Sequence, residues 1–268
     1  MAFFRIIIAN YNSAKWIDKG LESIFSQAFS NFVVHIVDDF STDDCLEHIY
    51  KWHQKYPERL SVHRLPERSG YPGGTRNYCI SKGFYFNNEA TYTLFMDSDD
   101  WMNDKWCLTR IHDAAVANNY PDIIRLSFNV LESDKQTYIP LKEQTIEEVS
   151  RSPFVASWTK AIRTDKLVKF PEKELFEDVV QHITQCDILK TLCCVSEPII
   201  VWNRLKENDV SMTANLDNRP EQKKKVDISY WQLIADLYGL DLKHDYSKEV
   251  RDGWLAFAKQ RVKEEGMI

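Results

Sequence analysis

The segment YTLFMDSDDWM, residues 92–102, runs from apolar and aromatic residues straight into three carboxylates, Asp97, Asp99 and Asp100. Two chemistries fit such a run. One is a solvated surface turn. The other is a site for a hard divalent cation, which takes carboxylate oxygens as ligands together with phosphate. Two further apolar runs end at polar residues in the same manner: RIIIA reaches Ala9-Asn10-Tyr11, and FVVHIV reaches Asp38-Asp39. Carboxylates gathered at one edge are costly unless a cation or hydrogen-bond donors compensate them. Donors are at hand in ERSGYPGGTRN, residues 67–77, where Arg68 and Arg76 carry guanidinium forks suited to phosphate or a base. Gly70, Gly73 and Gly74 in the same stretch let backbone approach a ligand closely.

Positioning these groups requires a scaffold, and the spacing of apolar residues supplies one. RIIIA reads as a strand. Ile17, Leu21, Ile24, Phe25 and Ala28 then fall on one helical face. FVVHIVDD is a second strand rich in β-branched residues. Ser41-Thr42-Asp43 is a helix start that Leu46, Ile49 and Tyr50 continue. LSVHRL is a third strand, GYPGGTRN a loop, Ile80 and Phe84 a helix face, and TYTLFM a fourth strand. Strands alternating with helices imply a doubly wound parallel α/β sheet, because parallel strands need crossovers. Such sheets bind ligands outside the carboxyl ends of their strands. The acidic ends therefore converge on one rim, which favours the cation reading over the surface turn.

Downstream, PDIIRLSFNVL is another strand and TYIPL a weaker one. Residues 147–205 are mixed. ELFEDVVQHITQCDIL places Phe176, Val179, Val180 and Ile183 on a helix face, with Glu177 and Asp178 near its start, where acidic residues suit the helix dipole. VSEPIIVWNRL reads as a strand. Beyond residue 219 two amphipathic helices follow, one with Ile228, Trp231, Leu233, Ile234 and Leu237, the other with Val250, Trp254, Leu255, Phe257 and Ala258.

Composition narrows the class. With 268 residues, 44% hydrophobic and 28% charged, the chain reads as a soluble globule of one domain with an appendage, or of two small ones. A net charge of −6 disfavours nucleic acid as a partner. No apolar run reaches membrane-spanning length, and MAFFRIIIANYN reads as a first strand rather than a signal peptide. The six cysteines show no CxxC pair or zinc spacing, which fits reduced thiols in a cytoplasmic protein.

The ordered motifs resemble family 2 glycosyltransferases of the GT-A fold. IANYNSAKWIDKGLESIFSQAFSNFVVHIVDDFSTDDC is similar to their amino-terminal signature, ERSGYPGGTRNYCISKG to their arginine-and-glycine loop, and LFMDSDDWM to their DxD segment. SWTKAIRTDKLVKFPEKELFEDV and IIVWNRLKENDVSMT are similar to later stretches of capsule- and lipopolysaccharide-type members. The resemblance covers residues 4–213. Phe40 departs from it, standing where glycine is usual, and Thr75 stands where alanine is common. The QxxRW signature of processive polymerases is absent.

The resemblance implies a GT-A domain over 1–215, with a Rossmann-like donor-nucleotide half at 1–102, an acceptor half at 103–215, and a helical extension at 216–268. It implies an inverting, metal-dependent transfer from a nucleotide-sugar, with Mn²⁺ or Mg²⁺. Asp99 is the expected metal ligand, and Asp97 contacts the ribose or the metal. Asp100 either joins this site or caps the following helix. Ala9, Asn10, Tyr11, Asp38, Asp39, Arg68, Gly70, Arg76, Asp97 and Ser98 are expected at the donor. A carboxylate at Asp38 or Asp39 accepts from the ring N–H of uracil, which adenine lacks. UDP is therefore expected, with GDP and dTDP left open. Asp178 is the implied catalytic base; the bland reading is a helix-start carboxylate. Trp158 is a sugar-stacking or a core residue, and His182 an ordinary, partly exposed histidine. The acceptor is expected to be a glycan or lipid-linked glycan at the cytoplasmic face. The carboxy-terminal helices pack on the core, form a homodimer contact or touch the membrane surface. Alternatives are transfer to a protein or modified DNA base, a nucleotidyltransferase, and a non-catalytic carbohydrate-binding relative. The nucleotidyltransferase lacks its glycine-rich loop in ANYNSAKW.

Overall fold

Seven consecutive buried or nearly buried residues, Phe4–Asn10, form β1, a strand covered on both faces. The structure is a computed structural model and describes residues 2–81, 90–133, 135–152, 154–172 and 177–205. After β1 come α1 (Ile17–Phe25), β2 (Phe32–Asp38), α2 (Cys45–Lys55), β3 (Leu60–Arg64), α3 (Pro72–Ser81) and β4 (Tyr92–Asp97). β1 pairs in parallel with β2 and β4, and β2 with β3. Residues alternate between the faces. Ile6, Ile8, Val34 and Ile36 meet Ile17, Leu21 and Ile24 of α1 on one side. Ile7, Val37 and Phe95 meet Cys79 of α3 and Phe170 on the other. Each such fully buried side chain contributes about 1.5–3 kcal/mol.

The rest of the chain widens this sheet. β5 (Trp101–Met102), α4 (Cys107–Ala117), β6 (Ile123–Glu132), β7 (Lys135–Ile139), α5 (Ile146–Arg151), β8 (Lys160–Arg163), α6 (Glu177–Cys186) and β9 (Leu192–Asn203) follow. The sheet order is β3-β2-β1-β4-β8-β6-β9-β5, with β7 beside β6. β8 runs antiparallel to β4 and β6, β6 parallel to β9, and β5 antiparallel to β9. The fold is therefore a mixed α/β sheet whose parallel, doubly wound part lies in the first hundred residues.

Some elements differ from the sequence reading. GYPGGTRN is helix from Pro72 onward, not loop. Proline suits a first helical turn, and at Gly73 a Cβ would lie 2.1 Å from the Pro171 carbonyl oxygen, so only glycine lets α3 pack there. Helix α2 starts at Cys45 rather than at Ser41, because Ser41 is drawn back to the end of β2. Phe84, Phe176 and the helices beyond residue 219 lie outside the described residues, as do the side chains of Val180 and Ile183. Five cysteines are buried, Cys194 is half-buried, and none of the six is in a disulfide. Among the described residues no helix is long and apolar enough to cross a membrane.

Candidate active site

Strand register builds the rim. Asn10 lies beside Asp38, and Ala9 beside Asp97, so β1, β2 and β4 end together. Ser98 and Asp99 follow in a turn that Asp100 closes by donating its N–H to the Asp97 carbonyl (3.2 Å). Helix α1 presses on this turn: at Gly20 a Cβ would lie 2.9 Å from the Asp100 carbonyl oxygen.

Asp97, Asp99 and Asp100 each bring a carboxylate oxygen within 4.8 Å of the others. Asp97 and Asp99 are half-buried; Asp100 is buried. Asp100 Oδ1 accepts from the Asn203 N–H (2.8 Å), while its buried Oδ2 has no hydrogen-bond partner among the described residues. Burial, then the charges of Asp99 and Asp97, push the Asp100 carboxyl well above the usual range. An orphaned, buried carboxylate oxygen beside two further carboxylates fits a hard, oxygen-seeking cation. Asp100 does not cap a helix, because the two-residue strand β5 follows it. The Asn203 side chain donates to the Asp99 carbonyl (3.1 Å), tying the end of β9 to the turn.

Arg76 is the buried link between the halves of the chain. Its Nη2 donates to Asp97 Oδ1 (2.8 Å) and its Nη1 to Glu177 Oε1 at the start of α6. Burial alone would lower Arg76, but Glu177, Asp97 and Asp178 more than offset it and hold the guanidinium charged. One cation thus serves several carboxylates. Burial pushes Glu177 up to about 7 against the pull of Arg76.

Asp178, next on α6, is half-buried. Burial raises its carboxyl; Arg76 and Lys160 pull it down, and Asp97 pushes it up. Lys160 is fully buried on β8, donating to the Val155 carbonyl (2.7 Å) and meeting His182 Nδ1 (3.0 Å). Burial and then Arg125 bring this amine down to about 7. His182 is buried rather than partly exposed, and burial holds it neutral. Its Nε2–H donates to the Val149 carbonyl (2.9 Å), leaving Nδ1 to accept from Lys160. Trp158 is a core residue, edge-on to Phe128 with ring centroids 4.8 Å apart.

At the ends of β1 and β2 the acidic pair organises two loops. Asp38 is fully buried and accepts from Asn10 Nδ2 (2.8 Å), the Ser41 N–H (3.0 Å) and the Ser41 hydroxyl. Asp39 accepts from the N–H groups of Ser69 (2.6 Å) and Gly70 (2.9 Å), drawing the loop after β3 against it. The Arg68 guanidinium lies 4.0 Å from the centroid of the Tyr11 ring. Asp97, Asp99, Arg76 and Asp178 thus share one electrostatic site, while Asp38, Asp39, Tyr11, Arg68 and Gly70 share the neighbouring strand ends. Sequence reasoning missed Glu177, Asn203 and Lys160 as site neighbours. The adjacent acids Glu177-Asp178 were the one legible signal.

Comparison with known proteins extends this picture. The family model for glycosyl transferase family 2 matches residues 5–167. The Staphylococcus aureus poly(ribitol-phosphate) β-N-acetylglucosaminyltransferase TarS is 32% identical over 184 residues, covering 65% of this chain and 30% of TarS. The chain thus spans under a third of that relative. The succinoglycan biosynthesis protein ExoW of Rhizobium meliloti is 31% identical, covering 89% of this chain and 79% of ExoW. Among solved structures, S. aureus TarS 1–349 in complex with UDP-GlcNAc superposes with a TM-score of 0.73 at 21% identity, covering 95% of this chain and 72% of that one. The mannosyltransferase PcManGT of Pyrobaculum calidifontis, in complex with GDP-Man and Mn²⁺, superposes with a TM-score of 0.60 at 16% identity, covering 96% and 75%.

Proposed function

The chain belongs to glycosyl transferase family 2, and on that premise we propose that it transfers a sugar from a UDP-sugar to a hydroxyl of a glycan or lipid-linked glycan, with inversion. The observation that carries this reading is Arg76. It joins Asp97, at the end of a strand in the nucleotide-binding type of half-sheet, to Glu177, the residue before Asp178. One charged group thereby holds the acidic turn and the candidate base in a fixed relation.

Asp99 and Asp97, with the orphaned oxygen of Asp100, would hold a divalent ion, Mg²⁺ or Mn²⁺. Such an ion absorbs the charge that develops on the departing diphosphate. Asp39, Tyr11 and the loop of Arg68 and Gly70 frame the nucleobase and ribose, with Asp38 and Asn10 bracing them from beneath. Asp178 takes the proton from the acceptor hydroxyl as that oxygen attacks the anomeric carbon opposite the leaving diphosphate, and one displacement inverts the centre. Its raised carboxyl suits that work, since a stronger base is held ready without being buried out of reach. TarS, whose solved complex holds UDP-GlcNAc, makes that donor the first to test.

Release of UDP from UDP-GlcNAc and related UDP-sugars, with and without Mn²⁺, tests the reading. Thermal shift serves as the binding readout, since a ligand of the native state raises the melting temperature. Metal-stimulated UDP release with a raised melting temperature is expected. Absence of any UDP binding with Mn²⁺ overturns the proposal.

A further inference from the structure

Two residues other than glycine hold left-handed backbone just past the ends of β1 and β2: Asn12 (φ 47°) and Phe40 (φ 61°). Asn12 is explained locally. Asparagine tolerates this region, and its Oδ1 accepts from the Thr42 N–H (2.8 Å) and the Asp43 N–H (3.4 Å). Phe40 has no such compensation. A bulky side chain there is an outlier, and burial does not offset the strain, because Phe40 is 40% exposed. Strain of this kind concentrates at ligand sites.

The neighbours of Phe40 indicate what the strain serves. Asp39, immediately before it, is the buried carboxylate that gathers Ser69 and Gly70. The Arg64 guanidinium covers the Phe40 ring at 4.6 Å and is itself held, Nη2 donating to the Ser41 carbonyl (2.9 Å) and Nε lying 3.6 Å from Asp38 Oδ2. The ring is therefore fixed rather than swinging in solvent. A second cation–aromatic pair, Arg68 over Tyr11, lies next in sequence to Ser69, which Asp39 binds. A carboxylate at Asp39 cannot by itself separate uracil from guanine, because each presents a ring N–H donor. Selection between them needs shape.

We infer that Phe40 is the specificity-determining residue of the nucleobase site, its fixed ring walling off the space beside Asp39 so that a one-ring pyrimidine enters and a two-ring purine does not. This rests on the nucleotide-sugar reading above. The ring needs a left-handed turn to stand in that place, and the Arg64 guanidinium packed on it holds it there.

Isothermal titration of UDP and GDP with Mn²⁺ against wild type, Phe40→Gly and Phe40→Ala tests it, with melting temperatures recorded alongside. Phe40→Gly relieves the left-handed strain and Phe40→Ala retains it, so stability separates the two variants while both lack the ring. Wild type should prefer UDP to GDP by at least about tenfold, the discrimination a shape mismatch supplies. Both variants should lose most of that preference, chiefly through tighter GDP binding. A UDP-to-GDP ratio unchanged in both variants, or a wild type that binds the two equally, overturns the inference while leaving the transferase reading intact. A wild type that binds neither nucleotide overturns both.

Discussion

Replacing Arg76 by methionine should be among the most damaging single changes in the described residues, and Glu177→Gln should rescue much of the loss. The Arg76 side chain is 6% exposed and that of Glu177 8%, whereas Asp97 is 36% exposed. Removing the guanidinium therefore strands one buried carboxylate, Glu177, and one that water can reach. Breaking a buried pair in this manner costs about 3–5 kcal/mol. At about 2–4 °C per kcal/mol for a chain of this size, the melting temperature should drop by about 6–20 °C. The double variant Arg76→Met/Glu177→Gln carries neither buried charge, so the two losses should fail to add, by about 0.5–3 kcal/mol. The pH dependence supplies a sign. In Arg76→Met, the Glu177 carboxyl loses the partner that draws it down, and its folded-state pKa rises further above its unfolded value. Stability should then be fullest at pH values below the unfolded pKa and fall as pH climbs through the folded one. Urea titrations of the four proteins between pH 5 and 8 measure all of this. Additive losses, with no steeper fall toward pH 8 in Arg76→Met than in wild type, would refute the reasoning.

Asp99→Asn should keep the fold and abolish most transfer, because a neutral amide is a poorer ligand for a hard cation; full turnover in a folded variant, or undiminished wild-type turnover in excess EDTA, would count against the site. Asp39→Ala should weaken UDP binding by about 1–3 kcal/mol, as the Ser69 and Gly70 N–H groups also lose their acceptor, and calorimetry with unchanged UDP affinity would remove Asp39 from the nucleotide site. Asp178→Asn should retain UDP and metal binding while transfer falls by about 10²–10⁴-fold; asparagine serves equally well at a helix start, so a near-normal rate would return Asp178 to a structural role. In wild type the acid limb of kcat/KM should lie above the ordinary aspartate range, since burial raises Asp178 and only its ionised form accepts a proton.

What was legible in the sequence follows from burial. β1, β2 and β4 lie between two helical layers, so each reads as a mainly apolar run, and the polar residues at their ends stand out by contrast. β8 was not legible. Its four residues, KAIR, include Lys160, which is buried only because Val155 and His182 satisfy its amine from other elements. The start of α3 was hidden for a related reason. Gly73-Gly74 argues against helix by propensity, yet the close approach to Pro171 demands that residue type. Glu177 looked like a helix-start carboxylate because its partner, Arg76, stands 101 residues earlier. Helix α4 went unassigned, although Leu108, Ile111 and Ala115 show its buried face in their spacing.

The placement of charge explains why these distant pieces must come together. Among the described residues, Asp97, Asp99, Asp100, Glu177 and Asp178 gather around one fully charged group, Arg76, and an amine at Lys160 that burial brings to about 7. Such an imbalance is unfavourable in a partly dry site. The chain meets it by raising Asp100, Glu177 and Asp178 together, which keeps protons where positive charge is wanting. An ordinary structural cluster would lower this cost with further arginines or with amide side chains. Here Asp100 Oδ2 is instead left without a partner in the interior, and its other oxygen is spent on the backbone of Asn203. That pattern fits the divalent cation of the proposed function, which would supply positive charge at the acidic turn. Because Arg76 contacts both Asp97 and Glu177, positive charge at the acidic turn would compete for Asp97 and leave Arg76 the more firmly paired with Glu177. Under the proposed function, the start of α6 would thereby sense a cation at the strand ends through one side chain.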